Sequence, residues 1–318
     1  MNVPVFDLHC DTALALLGRD YRGDGCLRHN EHHIDLERAA TLSGYAQCFA
    51  CYTSTWENRL PEGVTVEDVF QQELATILRE IEENNDLISQ ARSADDVVRN
   101  YESGKMSGIL TIEGPAGIGF DPSRLEEMYK IGFRISTLGW NEKNSLTGSH
   151  VTGGGLTDRG RAYVAEAQRL GILVDVSHIS DEGFWDIIKI ARAPVIATHS
   201  NSRYVWGSTR NLTDDMFRAI CETEGVVGFN LFGHFIGEKA DLDKAADHFL
   251  HFLDIDPEGK HIALGGDLDG CDLLPAGFRG VQDYPLLAEK LLSRGLTEKI
   301  VENIFWNNAL GVMKKCSM

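Results

Sequence analysis

The sequence predicts one α/β domain over residues 1–318 with the architecture of a (β/α)8 TIM barrel. Short apolar segments alternate with amphipathic helical segments along most of the chain. The apolar segments are hydrophobic almost throughout, which is typical of parallel strands covered by helices on both faces. The chain length fits one large barrel, and no internal repeat or Pro/Ser-rich linker divides the chain.

The first half of the chain is predicted to contain two strands and a long helix. The strands are residues 3–8 and 108–112. Residues 65–83 are predicted to be helical because Thr65 and Asp68 have the spacing of a capping box. Apolar residues then recur at helical intervals, namely Val66, Val69, Phe70, Leu74, Ile77, Leu78 and Ile81. The rest of residues 51–105 receives no assignment.

The second half of the chain alternates between strand and helix more regularly. Strands are predicted at residues 172–177, 194–198, 225–230 and 261–266. Helices are predicted to follow the N-cap residues Thr157, Ser180 and Thr213, and to begin at Asp283 and Thr297. Gly171 ends the first of these helices at residue 170.

The charge of the chain argues against nucleic acid and anionic membranes as partners. Lys and Arg number 30 and Asp and Glu number 48, which gives a formal net charge of −18, and no basic patch stands out. No apolar run is long enough to span a bilayer. Residues 1–4 do not begin a charged segment followed by an apolar one, so a cytoplasmic location is expected.

The cysteines suggest reduced thiols. There are 7 of them, an odd number, scattered along the chain, which is not the pattern of a disulfide framework. Cys48 and Cys51 form a C-x-x-C motif. Because no second pair lies nearby to complete a metal site, they are interpreted as buried neighbours rather than as a redox or zinc motif.

Side chains that can bind metal follow five of the predicted strands. They are His9 and Asp11, Glu113, His178, His199 and Asp267. In an α/β barrel the carboxyl ends of all strands meet at one face, which is where such folds place their active sites. The sequence therefore predicts that these side chains converge.

The spacing of these residues suits a metal centre. Residues two apart on a strand point to the same side, so His9 and Asp11 can bind one ion. His178 and His199 are separated by one strand–helix–strand unit and are expected side by side. Glu113 can bridge two ions, one oxygen to each. Mixed imidazole and carboxylate ligands suit zinc, and also manganese or cobalt.

Each of these residues alone also has a structural explanation. A single histidine at a strand end is more often hydrogen-bonded than bound to metal. Glu113-Gly114 alone could cap a turn, and residues 266–270 alone could form a turn. The coincidence of five strand ends in one chain favours the functional interpretation.

Two other segments are interpreted as loops. His29, His32 and His33 lie among polar residues, so a solvated loop is favoured over a second metal cluster. Residues 153–155 are three glycines without the Lys-Ser/Thr of a phosphate-binding loop. They are interpreted as a flexible loop.

Together these motifs resemble the membrane dipeptidase (renal dipeptidase) family of zinc dipeptidases, a branch of the amidohydrolase-type barrels. The segments that carry the resemblance are residues 7–12, 112–114, 171–178, 194–200, 208–215 and 265–270. They follow the family's order from one end of the chain to the other. Each segment alone is weakly specific, but the combination is highly specific and implies a metal-dependent hydrolase barrel.

The resemblance implies a binuclear zinc dipeptidase that hydrolyses the peptide bond of free dipeptides. His9 and Asp11 would bind the first zinc ion, His178 and His199 the second, and Glu113 would bridge the two. A hydroxide shared by the ions would attack the peptide carbonyl, because metal binding lowers the pKa of water toward neutrality. By the same resemblance, the protein is expected to be able to form a homodimer.

The resemblance also implies roles for Asp267 and Arg210. Asp267 would carry the proton from the attacking water to the leaving amine. Arg210 would pair with the substrate's terminal carboxylate, for which a guanidinium is a bidentate match. The alternative for Arg210 is a salt bridge with Asp214 or Asp215, which are close in sequence.

One segment departs from the family's pattern. Relatives of the renal enzyme carry a histidine shortly before the position of Glu142, where it polarises the scissile carbonyl. Here Trp140 occupies that place. Trp140 and Asn141 are therefore predicted to contact substrate, and Asn141 or His150 could replace the missing histidine, or the metal alone could polarise the carbonyl.

Two other functions remain open from the sequence. One is a different metallohydrolase on the same barrel that acts on a small amide, a lactone or an N-acyl amino acid. Many such enzymes begin with His-x-His, against which the His9-x-Asp11 motif and Arg210 argue. The other is a binding protein without activity, whose sign would be a missing ligand, and none is missing.

Overall fold

The computed structural model describes residues 3–18, 25–55 and 60–316. The strands in these residues are β1 (Val5–Cys10), β2 (Tyr45–Tyr52), β3 (Ile88–Gln90), β4 (Met106–Glu113), β5 (Phe133–Thr137), β6 (Leu173–Asp175), β7 (Val195–Ile196), β8 (Val227–Phe229) and β9 (Ile262–Leu264). The α-helices are α1 (Thr12–Leu17), α2 (Leu36–Ala39), α3 (Val66–Glu83), α4 (Ala94–Glu102), α5 (Leu125–Ile131), α6 (Asp158–Leu170), α7 (Asp181–Ile190), α8 (Asp214–Glu222), α9 (Gly233–Ile236), α10 (Leu242–Ile255), α11 (Tyr284–Ser293), α12 (Glu298–Glu302) and α13 (Asn308–Cys316).

Eight of these strands form a parallel barrel. Their order is β7-β6-β5-β4-β2-β1-β9-β8, and every pairing is parallel. A bridge between Ala197 and Val227 joins the two ends of this order. Gly228 allows the close approach there, because a Cβ atom on it would lie 1.9 Å from the carbonyl oxygen of Thr198. The predicted (β/α)8 barrel is confirmed, and β3 is an additional short strand beside the start of β4.

Two of the barrel strands are absent from the sequence prediction. β2 falls where no strand was assigned, and so does β5. The predicted boundaries also shift. β1 begins and ends two residues later than residues 3–8, and the later strands are two or three residues long because their ends bend into the loops. Those bent ends are the segments that carry the site.

The helix caps follow the sequence closely. Thr65 and Asp68 form the predicted capping box at the start of α3. Thr157, Ser180, Thr213 and Thr297 each accept a hydrogen bond from a backbone N–H of the helix that they precede. Caps are local interactions between residues a few positions apart, which explains why the sequence predicts them well.

The barrel interior is a separate apolar cluster. Its strand residues are Phe6, Leu8, Ala46, Cys48, Ile109, Ile135, Leu173, Ile196 and Ala263. Side chains of α13, including Leu310 and Met313, belong to the same cluster and cover the end of the barrel where the strands begin. Cys51, three residues after Cys48, belongs instead to the layer between strands and helices. Both thiols are buried, as predicted, but on opposite faces of β2.

No helix in the described ranges is both long and apolar enough to cross a membrane.

Candidate metal centre and active site

His9 reaches the site because β1 contains a bulge. From Asp7 to Cys10 the strand advances three residues while its partner β2 advances two. An extra residue of this kind turns side chains out of strict alternation. Asp7 therefore accepts a hydrogen bond from Tyr284 of α11, whereas His9 points to the barrel mouth, with Nε2 3.3 Å from Glu113 Oε2.

Asp11 follows β1 directly and joins the same cluster. Its backbone N–H donates to the carbonyl oxygen of Leu268 at 3.0 Å, which fixes the segment at the mouth. Asp11 Oδ1 lies 3.8 Å from His9 Nε2, and Asp267 Oδ1 lies at the same distance from that nitrogen. These three side chains place one ligand atom each within 4.8 Å of one another.

Glu113 stands between the two sets of predicted ligands. It ends β4 and is 2% exposed. One carboxylate oxygen faces His9, and the other, Oε1, lies 3.0 Å from His178 Nε2 and 3.6 Å from His199 Nε2. This is the position that a bridging carboxylate requires, one oxygen toward each set.

The Nε2 atoms of His178 and His199 both point into the cluster, toward one another. Their Nε2 atoms lie 3.0 Å apart. The ring of His199 also stacks on that of His9, with centroids 3.7 Å apart. His178 has a positive φ of 69°, a conformation that costs a residue with a side chain about 1–2 kcal/mol.

Several atoms of this cluster are buried without a hydrogen-bond partner. They are His9 Nε2, Asp11 Oδ1 and Glu113 Oε2. Polar atoms left in that state are costly. Together with the two Nε2 atoms of His178 and His199, they form the mixed nitrogen and oxygen donor set that zinc and similar divalent ions prefer. All five predicted ligands are thus brought together, and they fit metal ions.

The carboxylates of the cluster favour a positive charge among them. Burial lowers the pKa of His9, but the charges of Glu113, Asp11 and Asp267 outweigh burial and raise it to about 10. Burial raises the pKa of Glu113, but His9 and His178 outweigh it and hold that pKa below its usual range. The negative charge of the carboxylates thus favours a proton on His9. A bound cation would replace that proton, since metal binding releases protons from its ligands.

Asp267 lies at the edge of the cluster and is held by Asn230. The Asn230 side-chain amide donates to Asp267 Oδ2 at 3.0 Å, while Oδ1 faces His9. Burial, partly offset by the positive charge of His9, raises the pKa of Asp267 to about 6. Asn230 was not singled out from the sequence, although it ends the predicted strand at 225–230 and the same strand-end argument would have found it.

Arg210 is a buried cation with free donors. The residue is 3% exposed, and its Nη1 donates to Ser200 Oγ at 2.8 Å. Its Nε and Nη2 atoms are buried without partners. The predicted alternative, a salt bridge with Asp214 or Asp215, is not what the structure shows. Those residues pair with His251 and Arg218, respectively.

A cavity of about 360 Å³ opens onto the cluster. Asp11, Glu113, His178 and Asp267 line its polar side. Leu14, Tyr52, Trp140, Phe232 and Phe235 line its apolar side. Arg210 lies beside this wall, with its guanidinium carbon 5.7 Å from the ring centre of Phe235. The space combines convergent polar groups with an apolar wall, as small-molecule sites do.

Trp140 and Asn141 both line the cavity, as a contact with substrate requires. The Trp140 ring packs edge-on against Tyr52, with centroids 5.4 Å apart. Asn141 Oδ1 lies 2.8 Å from His178 Nδ1 and 2.8 Å from His150 Nε2. The side-chain oxygen of Asn141 thus contacts two histidine rings.

Three histidines outside the cluster, His33, His248 and His261, have structural partners. His33 is half-buried and not fully solvated, because Nδ1 accepts the backbone N–H of Asp269 at 2.9 Å, which corrects the interpretation of its loop. His248 is fully buried, and His261 Nδ1 lies 2.8 Å from the carbonyl oxygen of Gly225. Among the described residues, no group suited to metal includes His29, His32 or His33.

An α/β barrel with a cluster of three imidazoles and three carboxylates at its mouth has the architecture of a metal-dependent enzyme. The family model "Membrane dipeptidase (Peptidase family M19)" matches residues 1–318. The chain therefore belongs to this family, as the motifs predicted.

Individual relatives agree with this assignment. An uncharacterised dipeptidase of Schizosaccharomyces pombe is 36% identical over 226 residues, 69% of this chain and 54% of the relative, so the chain spans about half the length of that protein. Dipeptidase tcpJ of Claviceps purpurea is 29% identical over 89% of this chain and 69% of its own length. A metallo peptidase from Rhodobacter sphaeroides, solved with a phosphinate mimic of the dipeptide L-Ala-D-Ala, is 28% identical. It superposes with a TM-score of 0.87 over 99% of this chain and 100% of its own.

Proposed function

We propose that this protein is a dipeptidase that holds two zinc ions and hydrolyses the peptide bond of free dipeptides. The proposal is supported by the family, by the dipeptide mimic bound in the related metallo peptidase, and by the geometry of the cluster. The observation that carries the substrate class is the guanidinium of Arg210, which is buried beside the cavity with two of its three nitrogen atoms unpartnered.

The five clustered ligands would hold the ions. His9 and Asp11 would bind one ion and His178 and His199 the other, and Glu113 faces both sets. Bound divalent ions lower the pKa of water and so supply a hydroxide nucleophile at neutral pH. Manganese or cobalt would suit the same donors.

Asp267 would carry the proton from the attacking water to the leaving amine. Asn230 holds its Oδ2 atom, which leaves Oδ1 directed at the space in front of His9. A carboxylate fixed in this way can accept a proton from water and return it to the leaving amine. Its 12% side-chain exposure keeps it in contact with the cavity.

Arg210 would bind the terminal carboxylate of the substrate. A carboxylate would satisfy the free Nε and Nη2 donors in a charge-assisted, bidentate manner. A buried guanidinium left without its anion loses about 1.5–3 kcal/mol of such hydrogen bonding. A dipeptide with a free carboxylate should therefore be preferred over its amide and over longer peptides.

The test compares a dipeptide, its C-terminal amide and its tripeptide extension as substrates of the wild type and of Arg210→Met. We expect amidation to lower kcat/KM of the wild type at least about tenfold, and Arg210→Met to remove most of that preference. Equal rates on all three substrates, or an unchanged dipeptide rate in Arg210→Met, would leave only a metallohydrolase without an assigned substrate.

The same anion would be presented by an N-acyl amino acid, the second candidate substrate. Adding N-acetylated amino acids to the comparison separates the two. Faster hydrolysis of the N-acyl amino acid than of any dipeptide would transfer the proposal to that class.

A further inference from the structure

A histidine binds metal only through a ring nitrogen that carries no hydrogen. The neutral ring has one hydrogen, and the partner of the other nitrogen decides where it sits. In His178 and His199 the atom that faces the cluster is Nε2 in both cases. Both Nδ1 atoms must therefore carry the hydrogen if these rings are to bind an ion.

The partner of His178 Nδ1 is an acceptor. Asn141 Oδ1 lies 2.8 Å away, and a carbonyl oxygen can only accept. The Nδ1–H of His178 donates to it. Asn141 Oδ1 accepts a second bond from His150 Nε2 at 2.8 Å, and His150 Nδ1 lies 3.1 Å from the hydroxyl of Thr209. Asn141 is thereby held with its oxygen toward His178.

The partner of His199 Nδ1 is a hydroxyl whose hydrogen is already used. Thr198 Oγ1 lies 2.7 Å from His199 Nδ1, and it donates its hydrogen to Asp175 Oδ2. The hydroxyl can then only accept from His199. Asp175 is held in turn by two backbone N–H groups, those of Ser177 at 2.8 Å and Thr198 at 3.0 Å.

Both rings thus present bare Nε2 atoms to one another at 3.0 Å, next to an oxygen of Glu113. Bare nitrogens and a carboxylate oxygen repel one another, but in the metal-free protein the acceptors of both Nδ1 hydrogens hold the two rings in these tautomers. A cation among the three atoms would remove the repulsion. The half of the cluster formed by His178, His199 and Glu113 is therefore suited to bind a cation.

We propose that Asn141 and Thr198 are positioning residues that fix the metal-binding tautomers of His178 and His199, with Asp175 acting through Thr198. The proposal rests on the proposed metal centre and deepens it, because it assigns Asn141 a task besides the predicted contact with substrate. These residues would affect one ion of the pair, the one that His178 and His199 would bind.

The first test reads the tautomers directly. Nitrogen NMR of the metal-free, ¹⁵N-labelled wild type distinguishes protonated from bare ring nitrogens. We expect His178 and His199 to carry hydrogen on Nδ1 and none on Nε2. Hydrogen on Nε2 of both rings would overturn the proposal.

The second test measures zinc affinity by competition with a chelator in wild type, Thr198→Val and Thr198→Ser. Loss of such an outer partner costs about 10- to 100-fold in metal affinity. We expect Thr198→Val to lower the zinc affinity of one of the two sites by that factor. The affinity of the other site should stay within about threefold of the wild type. Thr198→Ser keeps the hydroxyl and should restore wild-type affinity.

Thr111→Val is the matched control. Thr111 lies on β4 two residues before Glu113, is buried, and its hydroxyl has no hydrogen-bond partner. The same substitution there should leave both affinities unchanged. Asn141→Leu removes the acceptor of the His178 Nδ1 hydrogen and should lower the zinc affinity of the same site as Thr198→Val does. It takes the place of Thr198→Val if that variant does not fold.

The outcomes separate the inference from the proposed function. Equal affinities in Thr198→Val, Asn141→Leu and the wild type would overturn the inference while two ions remain bound. A zinc-loaded wild type with fewer than two ions would contradict the proposed function itself, and the tautomers of the metal-free protein would still decide the inference.

Discussion

Glu113 and Asp267 are both carboxylates at strand ends, but their surroundings give them different tasks. Glu113 is enclosed by three imidazoles, with an oxygen toward each side of the cluster. Asp267 lies at the edge and is fixed by the Asn230 amide. A bridging role needs two anionic oxygens, whereas a proton carrier needs one oxygen that is open to the cavity.

Isosteric amide substitutions should separate these two tasks. We expect Glu113→Gln to lose bound metal and turnover together, because a neutral amide cannot serve two cations. We expect Asp267→Asn to keep both ions while turnover falls about 100- to 10,000-fold. Elemental analysis after zinc reconstitution and steady-state kinetics measure both effects. Near-normal turnover of Asp267→Asn would show that another group carries the proton.

At this scale the sequence predicts which residues meet, but not what holds them. The strand-end position of His9, Glu113 and His199 is visible in the sequence because apolar runs precede them. The tasks of Thr198 and Asp175 depend on side-chain hydrogen bonds between neighbouring strands, which no spacing along the chain reveals. The positive φ angles of His178, Asp267 and Asp269 are equally invisible in the sequence.

The elements that the sequence predicts well are those governed by local interactions. α6 has the predicted bounds, and α3 and α8 begin at their predicted caps. The sequence does not predict β2 because its residues, YAQCFACY, include none of the β-branched residues that mark the predicted strands. The bulge in β1 could not be predicted, because it exists only in the register between β1 and β2.

The capping box of α3 gives a prediction at the scale of the element. Thr65 Oγ1 accepts the backbone N–H of Asp68 at 3.1 Å, and Asp68 Oδ2 accepts that of Thr65 at 2.9 Å. We expect Thr65→Ala to destabilise the protein by about 1 kcal/mol, the usual loss for an N-cap, and Thr65→Ser to cost much less.

Urea unfolding measures this loss as a lower midpoint at an unchanged slope. A midpoint of Thr65→Ala equal to that of the wild type would show that α3 is held by its packing alone. Packing is the alternative source of stability for α3, since eight of its residues are buried against the rest of the protein.

The stability of the whole molecule depends on pH through a buried histidine away from the cluster, His248. His248 is fully buried. Its Nδ1 accepts the backbone N–H of Ser202 at 3.1 Å, and its Nε2 donates to the carbonyl oxygen of Ile236 at 3.0 Å. Burial lowers the pKa of His248 from 6.5 to about 4, so the folded protein keeps this ring neutral.

The sign of the pH effect follows from this lowered pKa. Between pH 6.5 and 4 the unfolded chain binds a proton at His248 that the folded chain does not, so stability falls as the pH falls through this range. The loss is on the order of 3 kcal/mol at most. We expect His248→Gln, whose amide can accept and donate in the same places, to lose less stability over that range.

The measurement is urea unfolding of both metal-free proteins at a series of pH values. Metal-free protein is used because metal release would add its own pH dependence. Parallel curves for wild type and His248→Gln would show that His248 does not contribute to the acid sensitivity.

The two thiols on opposite faces of β2 can report which part of the barrel opens first. A thiol reacts as its thiolate, and burial raises the pKa of both Cys48 and Cys51, so an alkylating reagent reaches them only when the structure opens. Cys48 reports the barrel interior and Cys51 the layer beneath the helices. A timed pulse of maleimide followed by peptide mass spectrometry would therefore tell whether the helical layer loosens before the barrel itself comes apart.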